Sequence, residues 1–182
     1  SVPLSAGIVS LTRVRANYLG GEFYPPALYV TSTLSDGRRV IDVLSYQEGR
    51  LINLTMDPLT GVSQEVMLGY TEVEPTDING DYVIELPSPS RLPVYGENTT
   101  TNFWLIDWYQ YQETGKRDHV MTTYHNVTDS WYLVIPQEWE GKITISRNDQ
   151  VIGQREVIFS LWQGEEKEPV PFLSIYRLTG LN

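Results

Sequence analysis

The chain has 182 residues, of which 41% are hydrophobic and 12% are aromatic, so it can bury a core and is not expected to be disordered. Its formal net charge of −10 repels phosphate backbones, which argues against a nucleic-acid partner. The absence of cysteine excludes disulfides, thiolate zinc sites and a cysteine nucleophile.

The first third of the chain predicts an antiparallel meander of short strands. Ala27–Leu34 is rich in β-branched and aromatic residues, and Arg38–Tyr46 and Arg50–Met56 follow turns that contain Gly37 and Gly49. The third strand alternates with period 2, as a half-buried strand does. Its predicted inner face consists of Ile52, Leu54 and Met56. No long stretch has the apolar spacing of an amphipathic helix.

The segment DINGDYVIEL, residues 77–86, places oxygen-bearing side chains at alternate positions before a predicted strand. Calcium takes six to eight hard oxygen ligands, so this spacing predicts a calcium loop shorter than an EF-hand. The predicted ligands are Asp77, Asn79 and Asp81 at positions 1, 3 and 5, the carbonyl of Val83 at position 7, and Glu85 at position 9. The alternative is an Asx-rich turn whose carboxylates accept backbone N–H groups, and both interpretations stay open.

The second half of the chain continues as strands separated by turns. Pro87–Asn102 is rich in Pro, Ser and Thr and predicts a loop or linker, and Asn102–Gln112 pairs with His119–Val127 in a predicted hairpin. Four further strands are predicted in SWYLVIP, GKITISR, REVIFSLW and FLSIYRL. We therefore predict an all-β protein, with a propeller-like antiparallel meander over residues 1–128 and a small β-rich C-terminal domain over residues 129–182.

The predicted calcium loop resembles that of FG-GAP or VCBS-type β-propeller repeats, which runs roughly Asp-x-Asp/Asn-x-Asp-Gly-x-x-Asp/Glu. The glycine of that pattern is replaced here by Tyr82, which adopts the required backbone only with strain. Gly80, two positions earlier, does not obviously replace it.

The resemblance extends over most of the chain, which looks like the final blades of such proteins from clostridia and related Firmicutes. It involves Pro26–Asp57, Trp104–Tyr111, Met121–Asn126 and the following Ser130–Arg147. Those proteins are secreted or lipid-anchored (lipoproteins), mostly of unassigned function. The resemblance implies propeller-like blades, a location outside the cell and calcium as a cofactor. The chain is too short for a whole propeller of at least four blades.

Aromatic residues crowd the predicted strand that begins near residue 103. With period 2, Trp104, Ile106 and Trp108 share one face, and Phe103, Leu105, Asp107, Tyr109 and Tyr111 share the other. One face must pack a core, and the other can present planar rings to a sugar. The predicted ligand-binding residues are Trp104, Trp108, Tyr109 and Tyr111, with burial in the core as the alternative.

No catalytic residue is predicted. His119 and His125 are the only histidines, and the sequence contains neither G-x-S-x-G nor H-E-x-x-H. Asp107, Glu138 and Glu140 lie near tryptophans, which leaves open a hydrolase with paired carboxylates.

We expect a non-catalytic extracellular or cell-envelope protein that binds a surface glycan or another envelope protein through its β surface. The alternatives are a carbohydrate-binding module of a glycan-active protein and the hydrolase. No apolar run reaches the roughly 18 residues of a membrane helix. The chain begins SVPLSAG, without Met, and is interpreted as a processed or trimmed piece of a longer protein that lacks its export signal.

Overall fold

A computed structural model describes residues 1–96 and 101–180. Strands make up 54% of the structure, the sheets are antiparallel, and no described helix reaches seven residues. The one described helix is a 3₁₀ turn at Gln137–Trp139. The predicted all-β class is therefore confirmed. Within the described ranges no helix is long and apolar enough to cross a membrane.

The described residues form fourteen strands in four sheets, which follow the order β1-β2-β3-β4 with β7 beside β3, β11-β10-β9-β8, β12-β13-β14, and β5-β6. The strands are β1 (Ile8–Tyr18), β2 (Pro26–Leu34), β3 (Arg39–Gln47), β4 (Arg50–Asn53), β5 (Met56–Asp57), β6 (Val62–Ser63), β7 (Val66–Met67), β8 (Leu86–Arg91), β9 (Trp104–Tyr111), β10 (Arg117–Asn126), β11 (Trp131–Val134), β12 (Ile143–Asn148), β13 (Gln154–Leu161) and β14 (Val170–Leu178).

The predicted meander is present as β2, β3 and β4, but its third strand is shorter than expected. β4 ends at Asn53, and Thr55 is buried instead of the predicted inner face. The Thr55 hydroxyl accepts a hydrogen bond from Val43 N–H and donates one to the Ile41 carbonyl. A side chain thus replaces the ladder bonds of a longer strand, and Ile52, Leu54 and Met56 are each left only half-buried.

The strand β1 was not predicted from the sequence. It pairs with β2 along its length, but its register shifts between Ile8 and Ser10 and again between Leu11 and Arg13. Such bulges interrupt the period-2 pattern on which strand prediction depends. Most of β1 is exposed, so no apolar face marks it in the sequence.

The predicted linker Pro87–Asn102 is also partly wrong, because β8 continues to Arg91. Pro87 and Pro89 are tolerated there since β8 is the last strand of its sheet, where a missing N–H leaves no ladder bond unmade. Residues 97–100 of the predicted linker lie outside the described residues.

The chain divides into two compact units, Ser1–Pro89 with Asp107–Met121, and Ser90–Ile106 with Thr122–Asn182. The predicted domain boundary after residue 128 falls inside the second unit. Since compact units need not coincide with separately folding domains, that boundary stays a prediction.

The core of the first unit lies on β2 and β3, which are buried on both faces. Tyr29, Val40, Ile41 and Val43 are almost fully buried there. Among them lies the buried carboxylate of Asp42. It accepts hydrogen bonds from the N–H and hydroxyl of Ser5 and from the amide of Asn53, so its burial is compensated.

The core of the second unit is formed by one face of the sheet β12-β13-β14. Its side chains pack with residues from the preceding strands, and the rings of Tyr124 and Phe159 meet edge to face at a centroid distance of 5.5 Å. The buried members are Leu105, Tyr124, Ile135, Ile143, Ile145, Val157 and Phe159.

Candidate calcium site

The loop at residues 77–85 closes around the carboxylate of Asp77. One oxygen, Oδ1, accepts hydrogen bonds from Gly80 N–H at 2.7 Å and from Asp81 N–H at 3.0 Å. The other oxygen, Oδ2, accepts a hydrogen bond from Tyr82 N–H at 2.9 Å. The side chain at position 1 of the predicted loop therefore binds the backbone N–H groups of positions 4, 5 and 6.

Tyr82 adopts a left-handed backbone, with φ of 70°, at the position where the FG-GAP or VCBS-type pattern has glycine. The expected obstacle at this position is thus overcome, at a cost of roughly 1 to 2 kcal/mol for a residue with a Cβ. The ring is 78% exposed, so the turn is not held by packing of this side chain. Gly80 is also left-handed, with φ of 81°.

The remaining predicted ligands lie on the same short loop. Asn79 donates to Asp81 Oδ2 at 3.0 Å, and Asp81 Oδ1 accepts from Val83 N–H at 2.9 Å. Val83 also forms a parallel bridge with Tyr18, and its carbonyl remains a predicted ligand. Glu85 is fully buried, and its Oε2 accepts from Ile78 N–H at 2.8 Å.

A residue that the sequence did not indicate, Gln110 of β9, completes this cluster. Its Nε2 donates to Asp81 Oδ2 at 2.7 Å and to Glu85 Oε1 at 2.5 Å, so one amide nitrogen lies between two carboxylates. Gly20 lies against this amide, because a Cβ built on Gly20 would meet Gln110 Oε1 at 2.9 Å. No local spacing signals Gln110, since it reaches the loop only through the tertiary fold.

The cluster carries three carboxylates, and within the described ranges no Lys or Arg forms an ion pair with Asp77, Asp81 or Glu85. Burial and the negative charges of Asp81 and Asp77 raise the pKa of Glu85, although hydrogen bonds from Gln110 and Ile78 N–H oppose this. The electrostatic potential of the site is therefore negative, and neutral hydrogen-bond donors offset the repulsion among its carboxylates only in part.

The pKa of Asp81 moves in the opposite direction from that of Glu85. Burial acts to raise it, but hydrogen bonds from Val83 N–H, Asn79 and Gln110 outweigh burial and hold the pKa below its ordinary value. Asp81 is therefore ionised at neutral pH. One oxygen of each acid, Oδ2 of Asp77 and Oδ1 of Asp81, accepts a single backbone N–H and can direct a second lone pair at a cation, so the Asx-turn geometry and a calcium loop are compatible.

The aromatic residues of β9 do not form the predicted platform. Trp108 and Tyr111 are only 1% and 4% exposed, so neither of the predicted pairs presents two open rings. The face of Tyr109 is covered by the guanidinium of Arg117 at 3.8 Å, and Trp104 is half-buried. For Trp108 and Tyr111 the core alternative is the one observed.

Tyr111 belongs instead to a buried polar group that the sequence did not indicate. Its hydroxyl donates to Glu65 Oε1 at 2.5 Å, and Arg117 Nη1 donates to the same oxygen at 2.9 Å. Burial and the neighbouring Glu65 carboxylate raise the pKa of Tyr111, so this hydroxyl stays protonated and keeps donating.

The histidines are placed in structural contacts. His119 Nε2 lies 3.0 Å from Asp107 Oδ1, and its ring meets Tyr109 edge-on. The ring of His125 stacks on Tyr132 at a centroid distance of 5.1 Å, and burial lowers its pKa.

Asp107, the first of the acids considered for hydrolysis, is half-buried. Glu138 and Glu140 are exposed, and Glu140 accepts a hydrogen bond from the Thr122 hydroxyl. Asp129, between β10 and β11, is engaged in ion pairs, because it accepts hydrogen bonds from Arg155 and Arg177, each at 2.7 Å. The absence of a catalytic role and the hydrolase alternative both stay predictions.

Comparison of the chain with protein-family models, with curated proteins and with solved structures finds no match. The resemblance to FG-GAP or VCBS-type repeats therefore depends on the motifs of the sequence alone.

Proposed function

We propose that this chain is a non-catalytic, calcium-binding β protein of the extracellular space or cell envelope, which binds a ligand through its β surface. The observation that carries the calcium proposal is that Asp81 and Glu85 meet at Gln110 beside Asp77, and that no Lys or Arg of the described residues forms an ion pair with these acids. Three carboxylates on one short loop form the hard, negatively charged oxygen set that calcium prefers.

The bound ion would replace the amide nitrogen of Gln110, because an N–H donor cannot coordinate a cation. The side chains of Asp77, Asn79, Asp81 and Glu85 would then supply oxygen ligands together with the Val83 carbonyl. The repulsion that raises the pKa of Glu85 would be removed, since the ion holds that carboxylate in its charged form. We expect weak binding, because Tyr82 keeps the loop strained.

Thermal unfolding with and without calcium tests this proposal. A ligand at a hundredfold excess over its Kd stabilises the folded state by about 2.7 kcal/mol, which corresponds to roughly 5 to 10 °C in the melting temperature of a chain of this size. We expect such a rise in the wild type and its loss in Asp77→Ala. Magnesium is expected to give a smaller rise, since it demands a more regular octahedral site.

The matched control is Asp36→Ala, which removes an exposed turn carboxylate that hydrogen-bonds to Arg38 and lies outside the loop. This variant should keep the full calcium response. The calcium proposal fails if millimolar calcium leaves the wild-type melting temperature unchanged, or if Asp36→Ala and Asp77→Ala respond alike.

A further inference from the structure

The second unit contains a pocket of about 470 Å³ on the sheet β12-β13-β14. Its floor includes Thr144 and Ser146 of β12, and Ile158 and Ser160 of β13. Thr144 is the direct partner of Ser160, and Ser146 is the direct partner of Ile158, so the four side chains share one face of the sheet. That face is the opposite of the core face and carries three hydroxyl groups.

Aromatic rings and prolines line the sides of the pocket. Tyr95 and Phe103 come from the segment between β8 and β9, and Pro169 and Pro171 come from the start of β14 and the residue before it. The hydroxyl of Thr144 donates to the Pro93 carbonyl at 2.6 Å, which fixes the chain next to Tyr95 against the sheet. The volume lies within the range of small-molecule sites, and rigid groups bound it.

Ser160 supplies a further hydroxyl to the floor of the pocket. The residue is only 5% exposed, yet it lines the pocket, so a molecule bound there can exchange a hydrogen bond with its side chain.

The charges of the pocket argue against an anionic ligand. Arg147 lines it but is ion-paired with Asp149, so its charge is already compensated. Glu168 also lines the pocket and forms no ion pair within the described ranges. What remains available to a ligand is one carboxylate, the Ser146 and Ser160 hydroxyls, and the ring of Tyr95, which is 43% exposed.

We propose that this pocket binds a neutral sugar unit. The C–H face of the sugar packs on Tyr95, as apolar faces pack on aromatic rings, and its hydroxyls exchange hydrogen bonds with Ser160, Ser146 and Glu168. The inference names the ligand class for the proposed ligand-binding role and depends on that role, but it does not depend on the calcium loop. It also assigns sugar binding to residues other than the buried tryptophan of β9.

Titration of the ¹⁵N-labelled full chain with glucose and with N-acetylglucosamine, followed by amide chemical shifts, tests the proposal. We expect saturable shifts at residues 144–146 and 158–160 with at least one sugar, at millimolar concentrations. Ser160→Ala should weaken binding about fivefold, because one hydrogen bond is lost. Tyr95→Ala should weaken it about tenfold, because the stacking surface is lost.

The control Tyr132→Ala removes a half-exposed ring of the same unit that does not line the pocket, and it should leave the sugar affinity unchanged. The proposal is overturned if neither sugar gives saturable shifts, or if Ser160→Ala and Tyr95→Ala bind as the wild type does. Repeating the titration in EDTA separates the two proposals, since sugar binding that persists without a calcium response contradicts only the calcium loop.

Discussion

The substitution Tyr82→Gly tests whether the loop is strained at the position where the FG-GAP or VCBS-type pattern has glycine. Tyr82 has φ of 70°, which costs a residue with a Cβ about 1 to 2 kcal/mol. Its ring is 78% exposed, so removing it sacrifices little packing. Glycine relieves the strain but adds freedom to the unfolded chain worth about 0.5 to 1 kcal/mol. We therefore expect a net stabilisation of roughly 0.5 to 1 kcal/mol.

The assay is urea unfolding in EDTA, followed by tryptophan fluorescence, with melting temperatures as a second measure. The expected gain corresponds to a rise of roughly 1 to 4 °C for a chain of this length. Tyr82→Ala is the matched control, because alanine removes the ring but keeps the Cβ and therefore the strain. Equal stability of the glycine and alanine variants, or a loss of stability in the glycine variant, would refute the reasoning.

Two further predictions concern the buried carboxylates. Because the folded-state pKa of Glu85 is raised, its contribution to stability is fully present below the unfolded pKa and is lost as the pH rises through the folded value. Urea unfolding between pH 4 and pH 8 in EDTA should show this loss, and Glu85→Gln should lack it. An equally steep pH dependence in that variant would contradict the assignment. Arg117→Ala should destabilise by about 2 kcal/mol, since it leaves the Glu65 carboxylate, which is 4% exposed, with the Tyr111 hydroxyl as its hydrogen-bond partner among the described residues. Arg38→Ala, which breaks an exposed ion pair, should cost under about 0.5 kcal/mol, and similar losses in the two variants would be the contrary result.

The sequence was sufficient where local chemistry determines structure. Regular alternation and glycine turns predicted β2, β3 and the hairpin of β9 and β10, and all of these are present. It was insufficient where side chains or bulges replace ladder bonds. Thr55 ends β4 through its hydroxyl, and the two register shifts of β1 hide that strand from any periodic pattern.

The candidate site divides in the same way. Asp77, Asn79 and Asp81 are close in sequence, and they hydrogen-bond within one short loop, while their role as calcium ligands stays a prediction. Gln110 lies 29 residues from Asp81 and 25 from Glu85, so only the folded sheet brings it to the loop. The burial of Trp108 was likewise undecidable from alternation, which shows that two faces differ but not which one meets the core.

Gly20 lies outside the loop at residues 77–85, but it contacts Gln110, which hydrogen-bonds to two acids of that loop. Gly20 does not have a left-handed φ, so what excludes other residues there is volume and not backbone conformation. A methyl group at this point would crowd the tip of the glutamine, and moving that tip would break its hydrogen bonds to Asp81 and Glu85. A larger side chain at position 20 would therefore change how the carboxylates of the loop are hydrogen-bonded, although none of the acids is itself replaced.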